Sequence, residues 1–459
     1  MARPTPLVVL DVVGLTAPLL RHMPRLRAAV SAGFIARLDP VLPAVTCSVQ
    51  STFLTGTAPR EHGIVGNGWY FRELGEVLLW RQHNALVGGD KLWDAARRAR
   101  PDYTVANICW WYALGADVDW TVTPRPIYFA DGRKEPDCYT HPANLHDELT
   151  EALGPFPLFS FWGPGAGLRS SEWICRAAQL VMAQHNPDLT LVYVPHLDYD
   201  LQRFGPDGAA AAGAASALDA VLGPLLDAAA GRGATVVALS EYGISAVSRP
   251  VHINRALRAD GLLRVYRQAG MEYLDPWTSR AFAVADHQVA HVYVARPDDL
   301  AAVAKRCAEL PGVAEVLDAG GKARYGLDHP RSGELVLVAE PDAWFTYYYW
   351  TGSAAPDFAR LVEIHRKPGY DPAELFFDPA APGAAKRRAA AALVRKKLGL
   401  RYLMDVVGIE AGASAVRGSH GRLPDHTEES PLLLCSTPEL ARDRLAATEV
   451  KDLLLRLAG

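Results

Sequence analysis

The sequence predicts an α/β fold, a mostly parallel sheet between helices, with a smaller α+β insertion in its later half. The first observation is a set of apolar runs of strand length, residues 7–13, 189–194 and 234–239, that alternate with helical segments. Strands covered on both faces read this way, because neither face meets water. The second is that these runs end near acids, Asp11, Asp198 and Glu241. Open α/β sheets place their sites at the carboxyl ends of strands. The third is a change of texture after Asn254, where short strand-like and helical pieces break the earlier alternation.

From the N-terminus, residues 7–13 form a run broken only by Asp11 and followed by Gly14, a buried strand with its functional end at that acid. Residues 24–32 read as a helix and 34–42 as an extended piece. The next stretch, PAVTCSVQSTFLTGTAPREHGIVGN (43–67), starts extended, then becomes a short, partly apolar run that stops at Gly56 and Pro59. That pattern puts Thr46 at or just before a helix N-terminus. A hydroxyl there faces free backbone N–H groups and the positive end of the helix dipole, a setting that suits a phosphate or another anion. Alone, Thr46 or Ser48 would read as an ordinary N-cap. Residues 70–80 read as an aromatic hairpin, 91–99 as a helix and 103–110 as a strand.

Residues 172–185 read as a helix, and the strand 189–194 runs into PHLDYDLQRFGPD (195–207), read as a loop. In the Ala-rich segment 208–230, Leu218, Val221, Leu222, Leu225 and Leu226 share a helical face, so a packed helix is expected. The strand 234–239 leads to Ser240-Glu241-Tyr242-Gly243. Inside the insertion, 282–294 carries His287 and His291 at a spacing that suits one side of a helix; 300–310 reads as a helix and 334–339 as a strand. The basic amphipathic segment 386–401 is read as a solvated helix face in preference to a nucleic-acid or acidic-lipid surface. The chain then reaches RGSHGRLPD (417–425), with His420, and ends in a helix over 450–457. The expected division is a core of residues 1–254 and 415–459 and an inserted α+β cap of 255–414.

With 459 residues, 49% of them apolar, the chain has enough to bury a large core. A net charge of −4 gives no general attraction to a nucleic acid polymer or an anionic membrane. No apolar run is expected to reach the length of about 18 residues that spans a bilayer, and the N-terminus reads as a strand, without an export signal. Six cysteines with no CxxC pair argue against a structural zinc cluster or a disulfide framework. A soluble cytoplasmic protein is expected.

Asp11, Thr46, Asp198, Glu241 and His420 are the residue types that a metal-using phosphate-ester hydrolase needs: oxygen and nitrogen ligands from several loops, and a hydroxyl nucleophile. Their surroundings resemble one family. After Thr46 come Thr55-Gly56, Pro59, His62-Gly63-Ile64 and Asn67; Tyr193 to Pro206 matches a second motif without gaps around Asp198; and Gly418-Ser419-His420-Gly421 matches a third. The chain resembles the nucleotide pyrophosphatase/phosphodiesterase (type I phosphodiesterase) family of the alkaline phosphatase superfamily over most of its length, more loosely in the cap. The resemblance implies an alkaline-phosphatase-like core and two divalent metal ions, usually zinc. It marks Thr46 as nucleophile and Asn67 as a donor to a phosphate oxygen. It places metal ligands at Asp11, Thr46, Asp198, Gln202, Glu241, Tyr242 and His420.

The motifs also depart from the family. Gln202 stands where a histidine is expected, and Ser240-Glu241-Tyr242-Gly243 replaces Ser-Asp-His-Gly. Leu197 and Leu201 replace Pro and Gly. Amide, phenol and carboxylate oxygens suit harder ions, Mg²⁺ or Mn²⁺, better than zinc. Three consequences stay open at this level: a changed metal, a single tight site on Asp198 and His420, or loss of hydrolysis. His196, His287 and His291 are read as structural or substrate-facing, and Asp200 as a neighbour of uncertain direction. The expected activity is metal-dependent hydrolysis of a phosphodiester or pyrophosphate bond in a small phosphorylated substrate through a phospho-threonine. The alternatives are a ligand-binding pseudoenzyme of the same fold and a phosphoryl transferase. Nothing in the sequence fixes the oligomeric state.

Overall fold

In the computed structural model, which describes residues 5–130 and 133–459, the three apolar runs become neighbouring parallel strands. Seven strands of the large sheet precede the insertion: β1 (Leu7–Val12), β2 (Phe34–Asp39), β3 (Val105–Ile108), β4 (Trp120–Pro124), β5 (Cys138–His141), β6 (Leu189–Val194) and β7 (Thr235–Leu239). Four strands of a second sheet lie within it: β8 (Ala281–Asp286), β9 (Val289–Val294), β10 (Val313–Leu317) and β11 (Leu335–Ala339). Two more, β12 (Leu432–Cys435) and β13 (Arg444–Ala446), complete the large sheet. Its order is β13-β2-β12-β7-β1-β6-β3-β4-β5, and the run from β7 to β4 is parallel. Central β1 is buried along its whole length and sets Asp11 between Tyr193 and Leu239 of its neighbours.

Five helices matter below, α1 (Thr46–Thr55), α2 (Leu168–His185), α3 (His196–Phe204), α4 (Ala209–Gly231) and α5 (Pro382–Lys397), and the chain ends in the expected helix, Val450–Ala458. The stretch expected as a loop after β6 is helix α3. Its sequence is compatible with this: Pro195 precedes the first turn, Asp198 sits in that turn near the positive helix end, and Gly205, at φ +89, ends it. The consequence for the site is a fixed spacing. Asp198 and Gln202, one turn apart, share a face.

Contrary to the expectation of no such run, α4 is long and apolar enough, by length and composition, to cross a bilayer. Here it is a core helix: Ala211, Ala214, Leu218, Leu222 and Leu225 are buried, and it packs on α2 and α3. Its buried Asp219 accepts the backbone N–H groups of Arg25 and Leu26, each at 2.9 Å, at the start of helix Pro24–Ala29. Those N–H groups have no partner within their own helix. Asp219→Ala is expected to destabilise the protein by about 1–3 kcal/mol, read from denaturant midpoints. A shift below about 0.5 kcal/mol would show that water replaces the carboxylate freely.

The insertion strands form a separate antiparallel sheet, β8-β9-β11-β10, over its own apolar core. Where helical spacing was read for His287 and His291, the chain makes a tight β8–β9 hairpin with His287 in its turn at φ +58. Alternation of apolar residues on a buried hairpin is masked when both faces are covered. The turn is tied down next to the core: Gln288 N–H donates to His420 O and Phe345 N–H to His287 O, each at 2.8 Å. The insertion therefore reaches over the carboxyl end of the sheet.

Candidate active site

Thr46 is the first residue of α1, following extended Val45, and all ten residues of this helix are buried. A polar helix survives burial here because its hydroxyls are satisfied locally. Ser51, Thr52 and Thr55 donate to carbonyls one turn back at 2.7–3.0 Å, and Ser48 donates to Ile64 O. Gly56, at φ +70, closes the helix in a conformation that favours glycine. His62 belongs to this scaffold: its Nδ1 accepts Ile64 N–H, so its Nε2–H donates to Thr52 Oγ1 at 3.0 Å. Burial holds it neutral, with a pKa lowered to about 3.

Around Thr46 the candidate residues form a chain of contacts. Thr46 Oγ1 lies 3.2 Å from the Tyr242 hydroxyl, which donates to Asp198 Oδ1 at 3.4 Å. Asp198 Oδ1 lies 3.7 Å from His420 Nε2. On the other side, Gln50 Nε2 donates to both Asp11 Oδ2 (2.9 Å) and Glu241 Oε1 (2.7 Å), while its carbonyl accepts Trp111 N–H. Gln50 carries no motif and was not singled out by the sequence; it falls one turn after Thr46 on α1, which is the only signal for it.

The charges are unbalanced. Burial, then Glu241, push Asp11 well above the usual carboxylate range; burial also raises Glu241 and, with Glu241, takes Asp198 to about 7. Among the described residues, no Lys or Arg pairs with any of the three. Asp11 Oδ1, Glu241 Oε2 and His420 Nε2 are buried with no hydrogen-bond partner. His420 Nδ1 lies 2.8 Å from Ala44 O and so carries the proton, leaving Nε2 a bare lone pair that faces a carboxylate oxygen. Two acceptors facing one another across 3.7 Å are relieved by positive charge placed between them, a proton or a cation.

These donors fit divalent ions, in two pairs: Asp11 with Glu241 beside Thr46, and Asp198 with His420. Among the described residues, three His, Cys or carboxylate ligand atoms lie within 4.8 Å of one another only at Asp137, Cys138 and His146, where Asp137 already pairs with His146. The atoms expected as ligands at Gln202 and Tyr242 are otherwise engaged. Gln202 Nε2 donates to Asp198 Oδ2 and its Oε1 accepts the Tyr370 hydroxyl, each at 2.8 Å. The Tyr242 ring stacks on His420 with centroids 3.5 Å apart, and burial holds its phenol protonated.

Asn67 lies beside α1 with its Oδ1 accepting Cys47 N–H at 3.0 Å, and its Nδ2 donates one hydrogen to Asp286 Oδ1 at 3.1 Å. The amide carries a second Nδ2 hydrogen. Asp286, from the hairpin, also accepts Asn67 N–H and a bond from His287. Sequence reasoning missed Asp286, because only the hairpin brings it there. His287 lines the cavity between His420 and Tyr370, whereas His291 donates to Val65 O and is structural. Asp200 pairs with Arg203.

A buried threonine at a helix start, flanked by two pairs of metal-type donors at the carboxyl end of a parallel sheet, is the arrangement that a metal-using phosphate-ester hydrolase needs. Residues 7–371 match the type I phosphodiesterase / nucleotide pyrophosphatase family, and the chain belongs to it. It is a hydrolase of that type, and membership implies divalent metal ions. No curated protein matches the sequence. Among solved structures, phosphonoacetate hydrolase from Sinorhizobium meliloti with phosphonoformate is similar with a TM-score of 0.60 and 15% identity, over 100% of this chain and 96% of its own. An inactive murine ectonucleotide pyrophosphatase/phosphodiesterase 5 with AMP has a TM-score of 0.59 and 14% identity, over 99% and 95%. The human counterpart has the same score and identity, over 99% and 94%. At these identities the likeness is one of fold.

Proposed function

We propose that this protein hydrolyses a phosphodiester or pyrophosphate bond of a small phosphorylated substrate, with Thr46 as nucleophile and a phospho-threonine intermediate. The observation that carries this reading is the set of unpartnered buried ligand atoms, on Asp11, Glu241 and His420, gathered around a helix-start hydroxyl. Divalent ions held by Asp11, Glu241 and Thr46 on one side and by Asp198 and His420 on the other would supply positive charge against the phosphate and the attacking oxygen. Oxygen-only donors in the first pair favour Mg²⁺ or Mn²⁺; the imidazole in the second admits Zn²⁺. Gln202 and Tyr242 serve as positioning residues, holding Asp198 through hydrogen bonds.

In the first step Thr46 Oγ1 bonds to phosphorus as the first alcohol or phosphate leaves. The hydrogen-bond chain from Thr46 through the Tyr242 hydroxyl to Asp198 gives the displaced proton a path. Asn67 donates its free amide hydrogen to a phosphate oxygen, with the start of α1 alongside. Water then displaces Thr46 from phosphorus and regenerates the hydroxyl. We place the protein in the cytoplasm, a reading supported by six free, buried cysteines.

Metal removal tests the proposal. Chelation is expected to lower the initial rate on bis-p-nitrophenyl phosphate by at least about a hundredfold, with recovery on adding Mn²⁺, Mg²⁺ or Zn²⁺ separately. A rate indifferent to chelation would sink metal dependence.

A further inference from the structure

The site opens into a cavity of about 550 Å³, within the usual range of small-molecule pockets. Its inner end is formed by Thr46, Asp198, Tyr242 and His420. Much of the remaining wall is apolar and includes Phe161, Trp162, Val362, Phe377, Met404 and Val406. The outer rim is apolar as well, and exposed. Tyr128, Phe159 and Leu403 are each 57% exposed and Leu393, on α5, is 56% exposed, although all four line the cavity. Exposed apolar side chains gathered at the mouth of an apolar channel mark a binding surface.

We propose that this cavity takes a long apolar chain, so that the substrate is an amphiphilic phosphate ester whose head lies at Thr46 and whose chain runs out toward α5. The identity of the reactive end rests on the hydrolytic reading above. A nucleobase suits the channel poorly, because a base needs partners for its polar edges. Several polar side chains along the wall are bonded to other protein groups: Gln82 donates to Thr123 and Pro124, Arg125 donates to Gln82 at 3.3 Å, His365 lies 3.4 Å from Leu79 O, and Lys396 pairs with Glu135 at 3.1 Å. A hydrocarbon chain asks nothing of them, and gains by leaving water.

Calorimetric titration of butyl, octyl and dodecyl phosphate, below their micellar concentrations, reads binding without turnover. For wild type and Thr46→Ala, Kd is expected to fall about twofold to fourfold per methylene between butyl and octyl, then flatten as the cavity fills. The doubly substituted Leu393→Asp, Leu403→Asp variant, whose changes are at exposed positions and whose folding is checked by Tm, is expected to bind dodecyl phosphate at least about tenfold more weakly. A Kd independent of chain length, or tighter binding of AMP than of octyl phosphate, overturns the proposal. Titrating dodecyl phosphate free and in phosphatidylcholine vesicles separates a chain taken from water from one drawn from a bilayer; binding from either source supports the chain site. Initial rates on methyl, octyl and dodecyl p-nitrophenyl phosphate separate the two readings. Chain-dependent binding with no hydrolysis defeats the hydrolytic reading alone, and hydrolysis indifferent to chain length defeats this one.

Discussion

Thr46→Ala is expected to lower kcat/KM for bis-p-nitrophenyl phosphate by at least about a thousandfold, mostly in kcat, with the fold intact. On the proposed mechanism the alanine deletes the hydroxyl that forms the covalent bond, so the remaining groups can bind the diester but not displace its alcohol. Stability should change little. Loss of the 3.2 Å hydrogen bond between the Thr46 hydroxyl and Tyr242 is worth about 1 kcal/mol. Thr46→Ser keeps the hydroxyl and should keep a measurable fraction of the rate. Two results would defeat the assignment: an alanine variant with more than a tenth of wild-type kcat, or one in which KM alone moves. The second would mean that Thr46 binds the substrate without reacting with it.

The parts of this site that were legible in the sequence are those fixed by one strand or one local motif. Asp11 announces itself as the lone acid in an apolar run, and Thr46 as the residue before a short segment closed by Gly56. Asp198, Glu241 and His420 follow from the segments that succeed β6, β7 and α5 in the chain. What was not legible depends on pairs distant in sequence. Gln50 bridges Asp11 and Glu241, 39 and 191 positions away, and no local pattern encodes that. Asp286 reaches Asn67 only because a hairpin of the insertion folds over the sheet. The misreading of residues 195–204 as a loop had a different cause: a loop-like string of Pro, His, Asp and Tyr outweighed the helix-start signals that were present.

Those departures at Gln202 and Tyr242 also acquire a physical sense. The stack of Tyr242, His420, His287 and Tyr370, with successive centroids 3.5, 3.7 and 3.5 Å apart, is continuous from the core to the insertion. Tyr370 in turn donates to Gln202, which holds Asp198. Side chains that replace imidazoles here tie the cap to the metal-type donors. The geometry at Asp198 therefore depends on the packing of the segment around Tyr370.

That segment contains the group whose removal should cost most in stability. Lys367 is 1% exposed, and its Nζ donates to Asp371 Oδ2 at 2.7 Å and contacts Glu374 Oε1 at 2.6 Å. Lys367→Met keeps the shape and leaves two buried carboxylates without a cation, so a loss of about 3–5 kcal/mol is expected in chemical denaturation. The pH dependence separates this account from one of lost packing. In wild type, burial pulls the Lys367 ammonium down but the two carboxylates more than offset it, leaving its pKa raised. A raised folded pKa gives stability that is complete below the unfolded value of about 10.4 and is lost as pH rises through the folded one. Neutral pH therefore retains all of it. Burial raises Glu374 as well, and Lys367, with a backbone N–H from Glu363, opposes this. Without Lys367, Glu374 rises further, and by the same sign rule the variant should be least stable at pH 8 and recover part of its deficit near pH 5. Trp162 Nε1 donates to Glu374 Oε2 at 2.6 Å, so the cavity wall should loosen in the same variant. A deficit under about 1 kcal/mol, or one that is equal at pH 5 and pH 8, would show that the ion pairs do not hold this wall in place.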